Sequence, residues 1–132
     1  MTSLFESKIL GHYRNRKQAF TNPTKWPQIN VLYQKIAENV LDLKQWYNYQ
    51  TEDTAYRHYH LTCEYLDEHT VITSAFNIDS QTDGCQLQWG YHGGWWFGEV
   101  RGECILRNTR VKSEISFNGD LYQSRDTGID ID

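Results

Sequence analysis

The chain has few residues of several types that mark particular classes of protein. Its 132 residues include only two prolines, one methionine and three cysteines. It also lacks a hydrophobic run long enough for a membrane span, and the N-terminal MTSLFESKIL has no apolar segment of the kind that a signal peptide needs. We therefore expect no membrane association and, by default, a cytoplasmic location.

An excess of positive charge is also lacking. The formal net charge is -4 and the sequence pI is about 5.7. Such a chain has no field that would hold a polyanion, so we expect no nucleic acid partner. An anionic ligand would have to be bound by individual Arg or Lys side chains.

The cysteines do not form a recognisable motif. Cys63, Cys85 and Cys104 are odd in number and widely spaced, and no CxxC pair suggests a zinc knuckle. This usage fits a reducing compartment better than a disulfide framework. The sequence also contains no glycine-rich phosphate loop and no nucleophile-elbow motif.

Aromatic residues, by contrast, are abundant, at 14% of the chain. In the N-terminal segment, Ser3 and Glu6 have the spacing of a capping box, and Phe5, Ile9 and Tyr13 fall near one helical face. The pattern predicts a helix over about residues 3–20.

Beyond residue 29, short β-branched and aromatic runs alternate with turn-forming residues. Asn118-Gly119 is a strong hairpin signal. Strands are predicted at 29–36, 40–50, 55–66, 69–78, 84–91, 95–100, 103–108, 110–118 and 120–125. So many antiparallel strands favour a closed barrel, because closure removes exposed edges. We expect one domain over residues 1–132, mostly β, with the barrel over about 29–126.

The faces of the predicted strands mix apolar and polar residues. In the predicted strand 40–50, alternation gives one face that mixes apolar, aromatic and polar side chains: Leu41, Leu43, Gln45, Tyr47 and Tyr49, with Trp46 opposite. Such a face suits a flat, conjugated ligand with a few polar groups. His58 and His60 would also share a face, as a metal pair would. No matching His or Cys pattern supplies further ligands, so the sequence predicts no metal site.

The stretch GGWWFGEVRGEC, residues 93–104, combines the largest and the smallest side chains. Its glycines would allow a bulge or a close approach of the backbone, and its tryptophans would give a stacking wall for a ligand. Alternatively, Trp95 and Trp96 simply alternate between core and surface. Further on, Asp126 lies at the end of a predicted strand, just before Gly128, where it could face a barrel mouth.

Several stretches together resemble the T-type phycobiliprotein lyases, the chromophore lyases of cyanobacteria and their phages. The stretches that carry the resemblance are GHYRNRKQAFTNP (11–23), WPQINV (26–31), Tyr56-Arg57, Gly84-Cys85, the run from Trp96-Phe97-Gly98 to Gly102-Glu103-Cys104, and SRDTGID (124–130). Their order and spacing cover nearly the whole chain.

The resemblance implies a calycin or lipocalin-like antiparallel β-barrel with an N-terminal helix, often dimeric. It implies an enzyme that binds an open-chain tetrapyrrole (bilin) and delivers it to a cysteine of a phycobiliprotein β-subunit, forming a thioether. The bilin, phycoerythrobilin in preference to phycocyanobilin, would be a bound substrate and not a prosthetic group.

The resemblance also implies roles for individual residues. Asp126 would be the catalytic carboxylate against the pyrrole N-H groups, and Arg57 would bind a propionate. The rings of Tyr47 and Tyr56 would contact the bilin, and Trp96 would form a wall of the binding pocket. The other residues that match bilin-binding positions are Asn15, Arg16, Gln18, Cys85, Cys104 and Arg125. The two cysteines either capture the bilin covalently or only pack.

Two alternatives remain open from the sequence. The chain could be a bilin carrier or chaperone without transfer activity. It could also be a generic lipocalin-like barrel whose aromatic side chains stack on sugars or lipids.

Overall fold

The computed structural model describes residues 3–15, 28–106 and 109–130. The bounds of its elements are α1 Leu4–Ile9, β1 Gly11–Arg14, β2 Ile29–Ala37, β3 Val40–Tyr47, a 3-10 turn Glu52–Thr54, β4 Arg57–Asp67, β5 Thr70–Asn77, β6 Thr82–His92, β7 Trp95–Val100, β8 Ile105–Leu106, β9 Thr109–Phe117 and β10 Tyr122–Asp130. Within these residues, no helix is long and apolar enough to cross a bilayer.

The strands form one antiparallel sheet that curls into a nearly closed barrel. Along the sheet the order is β1-β2-β3-β4-β5-β6-β7-β9-β10, and the short β8 pairs with β9 outside this path. Neighbours in sequence are therefore mostly neighbours in space, as in an up-and-down barrel. The expected fold class, a mostly β antiparallel barrel with an N-terminal helix, is confirmed.

The connections between strands gather at two ends of the barrel. The turns after β2, β4, β6 and β9 lie at one end, which we call the closed end. At the other end, which we call the mouth, β1, β3, β5 and β7 end and β2, β4, β6 and β9 begin. Antiparallel pairing fixes this division, because each strand reverses the direction of the one before it.

Helix α1 covers the closed end. The Ser3 side chain caps it by accepting a hydrogen bond from the Glu6 backbone N-H at 3.0 Å. Phe5 and Ile9 are fully buried, and the Phe5 ring lies at 5.2–5.5 Å between centroids from the rings of Trp89, Trp96 and Phe117. These edge-to-face contacts fill the barrel below the helix.

The position of Gly98 explains in part why glycines and tryptophans occur together in residues 93–104. It pairs in register with Trp89, and a Cβ added at Gly98 would lie 2.5 Å from Cε3 of the Trp89 ring. Any larger residue would force the indole out of its packed position. The predicted close approach at a glycine is therefore found, and it serves the core.

At the closed end of the barrel, tyrosine side chains connect β1 and β10, the first and last strands of the sheet. The rings of Tyr13 on β1 and Tyr122 on β10 stack with centroids 4.9 Å apart, and the Tyr122 hydroxyl lies 2.7 Å from that of Tyr33. Among the described residues, β1 and β10 are not paired as strands, and these side chains join them.

The prediction of one helix over residues 3–20 was wrong at residues 10–15, and residues 16–20 lie outside the described residues. Leu10 is extended, Gly11 has φ +145°, and the chain turns into β1. The Tyr13 hydroxyl donates to the main-chain carbonyls of Lys8 and Ile9, at 2.9 and 2.8 Å. Tertiary pairing with β2 therefore overrides the local helical period.

The expectation of unpaired cysteines is also corrected. Cys85, on β6, and Cys104, after β7, form a disulfide with Cα atoms 5.6 Å apart. Cys63 is free and buried, and burial raises its pKa to about 11. The antiparallel pairing of β6 with β7 brings these residues, 19 positions apart, together, and the sequence alone did not define that register.

Candidate functional site: the barrel mouth

Three tyrosines stack at the mouth, where β3 ends and β4 begins. The Tyr47 ring lies between the other two, with its centroid 5.5 Å from that of Tyr49 and 4.5 Å from that of Tyr56. Interplanar angles of 6° and 22° make both pairs nearly parallel. Tyr49 is 83% exposed, so the stack reaches from the barrel wall into solvent. We call Tyr47, Tyr49 and Tyr56 the mouth tyrosines.

Two polar side chains accompany the mouth tyrosines. Gln45 Nε2 donates a hydrogen bond to the Tyr56 hydroxyl at 2.5 Å, and Gln45 pairs in register with Arg57 across β3 and β4. The Arg57 guanidinium carbon lies 5.8 Å from the centroid of the Tyr56 ring, within cation-π range. Flat rings, an amide and an exposed cation are therefore within reach of one another.

Asn15 fixes the neighbouring part of the rim. Its Oδ1 accepts from the Ile29 backbone N-H at 2.6 Å, and its own N-H donates to the Ile29 carbonyl at 3.4 Å. Ile29 pairs in register with Tyr47. Asn15 thus helps to position the strand that carries Tyr47.

The Cys85-Cys104 disulfide lies on the other side of the mouth, between β6 and the segment after β7. A disulfide has no free thiol, so in this form neither cysteine can capture a ligand by addition. A cavity of about 450 Å³ adjoins Cys104. Its rim includes the ion pair between Arg110 and Glu103, at 2.8 Å.

A second cavity lies away from the mouth. It is a groove of about 840 Å³, which we call the outer groove, lined by residues of β5, β6, β7, β9 and β10, including the exposed Phe97 and Arg125. Arg125 pairs in register with Glu114, and Glu99 also lines the groove. Two carboxylates near one guanidinium make this groove a poor match for a ligand with several negative charges.

Trp96 does not line an open pocket in this structure. Its side chain has no exposed surface and packs against Phe5 and Tyr91 in the core. The alternative in which Trp95 and Trp96 alternate between core and surface describes the geometry better, because Trp95 is half-buried and Phe97 beyond it is exposed.

The remaining predicted residues are only partly described. Asp126 belongs to β10, and its backbone pairs in register with Ser113, but its side chain lies outside what the structure describes. Arg16 and Gln18 lie outside the described residues altogether. The roles assigned to all three remain predictions.

A buried polar cluster lies at the closed end, opposite the mouth. Glu6 is 2% exposed, and its carboxylate accepts hydrogen bonds from Tyr65 at 2.7 Å and from Lys35 at 3.2 Å. Burial alone would raise the pKa of Glu6, but these hydrogen bonds and the Lys35 charge outweigh it, and the pKa is lowered. Burial raises the pKa of Tyr65, and the adjacent carboxylate raises it further. This cluster anchors α1.

The sequence placed Gln45 and Tyr49 on the same face as Tyr47 but gave neither of them an individual role. Alternation on β3 did place Gln45 on the same face as Tyr47, but nothing in the sequence showed that its amide would reach Tyr56. Tyr49 stacks on Tyr47 from the turn after β3, so strand alternation does not apply to it.

Comparison with known proteins supports the fold and its family resemblance. No protein-family model and no curated protein matches the sequence. Among solved structures, the chain is similar to the T-type phycobiliprotein lyase CpeT from Prochlorococcus phage P-HM1, with 27% sequence identity and a TM-score of 0.79. The match covers 94% of this chain and 85% of the phage protein. The resemblance indicated by the sequence motifs is therefore confirmed, and this chain has the fold of a T-type phycobiliprotein lyase.

Proposed function

We propose that this protein binds an open-chain tetrapyrrole at the barrel mouth and delivers it to a cysteine of a phycobiliprotein β-subunit. The observation that carries the proposal is the whole-chain structural match to a T-type phycobiliprotein lyase. The mouth tyrosines, with Gln45 and Arg57, supply the site. Phycoerythrobilin is the favoured pigment, and the acting unit is a homodimer, both by family resemblance.

The residues at the mouth fit the chemistry of a bilin. A bilin is flat and conjugated, so it can stack against the row of mouth tyrosines, whose rings are already nearly parallel. Its propionates would pair with the exposed guanidinium of Arg57. The outer groove offers Phe97 and Arg125 but also Glu99 and Glu114, which would repel propionates.

The proposed attachment needs no nucleophile from this chain. The acceptor thiol adds across the exocyclic double bond of bilin ring A, so that one C-S bond forms and the thiol proton ends on the pigment. No oxidant or reductant is required. The lyase would hold the pigment in one geometry and shield it from other nucleophiles. Asp126 is the proposed partner of the pyrrole N-H groups.

A pigment titration tests binding. Purified protein is titrated with phycoerythrobilin and with phycocyanobilin while visible absorption is followed, for wild type and for Asp126→Asn. We expect a saturable red shift in wild type that collapses in the variant. An unchanged spectrum with both pigments would contradict the proposal and would favour a generic lipocalin-like barrel.

Matched variants test where the pigment binds. Tyr47→Leu removes the central ring of the stack, and Phe97→Leu removes a comparably large ring from the outer groove. Loss of one stacking partner is expected to weaken binding roughly 2- to 10-fold, since such a contact is worth about 0.5–1.5 kcal/mol. A loss with Phe97→Leu but not with Tyr47→Leu would place the pigment in the groove instead.

A transfer assay separates a lyase from a carrier. Loaded protein is incubated with apo-β-subunit, and covalent adduct is detected by zinc-induced fluorescence on a denaturing gel. We expect adduct above the rate of spontaneous attachment. If the pigment binds but no such excess forms, the chain is a carrier or chaperone and the transfer step is wrong.

A further inference from the structure

The outer face of the barrel brings together three side chains that are separated in the sequence. His58 and His60 lie two residues apart on β4, and Asp42 lies opposite His60 in the register of β3 with β4. The Asp42 Oδ1 atom is 2.6 Å from Nε2 of His58 and 3.3 Å from Nε2 of His60. The sequence alone offered the histidine pair without a third group.

This geometry is close to that of a coordination site. One ligand atom from each residue lies within 4.8 Å of the other two. Tetrahedral ligation at bond lengths of about 2.0–2.2 Å places ligand atoms roughly 3.3 Å apart, so only small side-chain rotations would be needed. All three residues lie on paired strands, which hold such sites more precisely than loops do.

The local burial also suits a cation. The Asp42 side chain is only 9% exposed, whereas those of His58 and His60 are 25% and 39% exposed. A carboxylate withdrawn from water gains strongly from a positive partner, and the half-exposed imidazoles give an ion access from solvent. The nearest lysine in register, Lys44, is paired with Glu52 at 3.3 Å, which offsets its charge.

We propose that Asp42, His58 and His60 form a binding site for a divalent transition metal, with Zn²⁺ as the best match. Two imidazoles and one carboxylate are an accepted zinc ligand set and leave further coordination positions open. The site lies on β3 and β4, the strands that Tyr47 ends and Tyr56 precedes. An ion there would clamp the two strands together from outside the barrel. The site is independent of the bilin proposal, because its ligands lie away from the mouth tyrosines.

The test is calorimetric titration of the untagged, pigment-free protein with Zn²⁺ under non-reducing conditions, so that the disulfide stays closed. We expect one ion per chain. His60→Ala, His58→Ala and Asp42→Asn should each weaken binding at least as much as the loss of an outer-shell partner does, which is roughly 10- to 100-fold. His69→Ala is the matched control, since His69 is an exposed histidine in the turn after β4, and it should bind like wild type.

Two further readouts separate a lost ligand from a damaged fold. Zn²⁺ should raise the thermal unfolding midpoint of wild type and of His69→Ala, but not that of His60→Ala. Co²⁺ should give visible absorption bands in wild type that are absent from folded His60→Ala. Failure of wild type to bind Zn²⁺, or equal binding by wild type and the three ligand variants, would overturn the proposal.

Discussion

The two ends of the barrel differ in how far their aromatic side chains are buried. At the closed end, α1 buries Phe5 and Ile9 among aromatic rings, and the carboxylate of Glu6 is fully enclosed by hydrogen-bonding partners. At the mouth, aromatic rings stack in a row that remains partly in solvent, as the exposure of Tyr49 shows. The same residue types are used for packing at one end and are left available for a ligand at the other.

The way in which each end is held together differs accordingly. Hydrophobic burial stabilises the closed end, whereas at the mouth a disulfide connects β6 to the segment after β7, and fewer of the described side chains there belong to the buried core. An open rim that must admit a ligand cannot be filled by its own core residues. The comparison therefore predicts that substitutions at the closed end change stability and that substitutions of mouth side chains change binding.

The largest effect is expected from Phe5→Ala. It removes a ring that contacts Trp89, Trp96 and Phe117 and leaves a cavity at the closed end. The free energy of unfolding should fall by about 3–5 kcal/mol, measured by urea denaturation. Leu4→Ala, at the more exposed neighbouring position, is the control. An equal loss in both variants would show that α1 is not held by its buried face.

The second-largest effect on stability is expected from loss of the disulfide at the mouth. Replacing both Cys85 and Cys104 by serine should lower the free energy of unfolding by about 3 kcal/mol, because the disulfide closes a loop between residues 19 apart. Dithiothreitol should produce a similar loss in wild type and none in the double variant. If reduction frees the thiols of wild type without shifting its urea midpoint, the mouth does not depend on the disulfide.

A smaller effect is expected from Glu6→Gln, which weakens the contacts with Lys35 and Tyr65. The free energy of unfolding at neutral pH should fall by about 1–3 kcal/mol. Because folding lowers the pKa of Glu6 below 4.5, its carboxylate contributes stability above that pH, and the contribution is lost as the pH falls through the folded pKa.

Urea denaturation of wild type and Glu6→Gln across pH 3–7 measures this dependence. The difference between the two proteins should shrink as the solution becomes acidic. Glu38→Gln, at an exposed turn position, is the control and should show little difference at any pH. A constant difference from pH 7 to pH 3 would contradict an ionised Glu6.

The smallest effect is expected from Tyr56→Phe at the mouth. This variant keeps the ring that stacks on Tyr47 but removes the hydroxyl that accepts from Gln45. The free energy of bilin binding should change by about 0.5–1.5 kcal/mol, and the midpoint of urea denaturation should stay nearly unchanged. The pigment titration and urea denaturation measure the two quantities side by side. A larger change in stability than in affinity would remove the distinction between the two ends.

Local pattern was sufficient for most of the fold. Alternation and turn residues predicted most strands of the barrel to within a few residues, because an antiparallel strand with one buried face has a period of two. The same approach failed at Tyr13, whose spacing from Phe5 and Ile9 fits a helix. Its strand conformation depends on pairing with β2, which lies beyond a segment of more than ten residues.

The site was predictable to a similar degree. Family resemblance identified Tyr56 and Arg57 as candidate binding residues, and strand alternation predicted which face of the strand carries Tyr47. The structure places all three residues at the mouth. Trp96 was assigned to a pocket wall, but it lies in the core, since no local pattern tells which buried aromatic borders a cavity. Cys85 and Cys104 were treated separately, although they are bonded.

The sequence by itself determined the mostly β character of the chain, the cap at Ser3 and the aromatic character of both ends of the barrel. These properties depend on residues that are close together in the sequence, so they can be recognised from the sequence alone. The tertiary structure alone decided the disulfide, the burial of Trp96 and the meeting of Asp42 with His58 and His60. Those outcomes depend on the register and curvature of the sheet, which bring residues into contact across distances that no local period encodes.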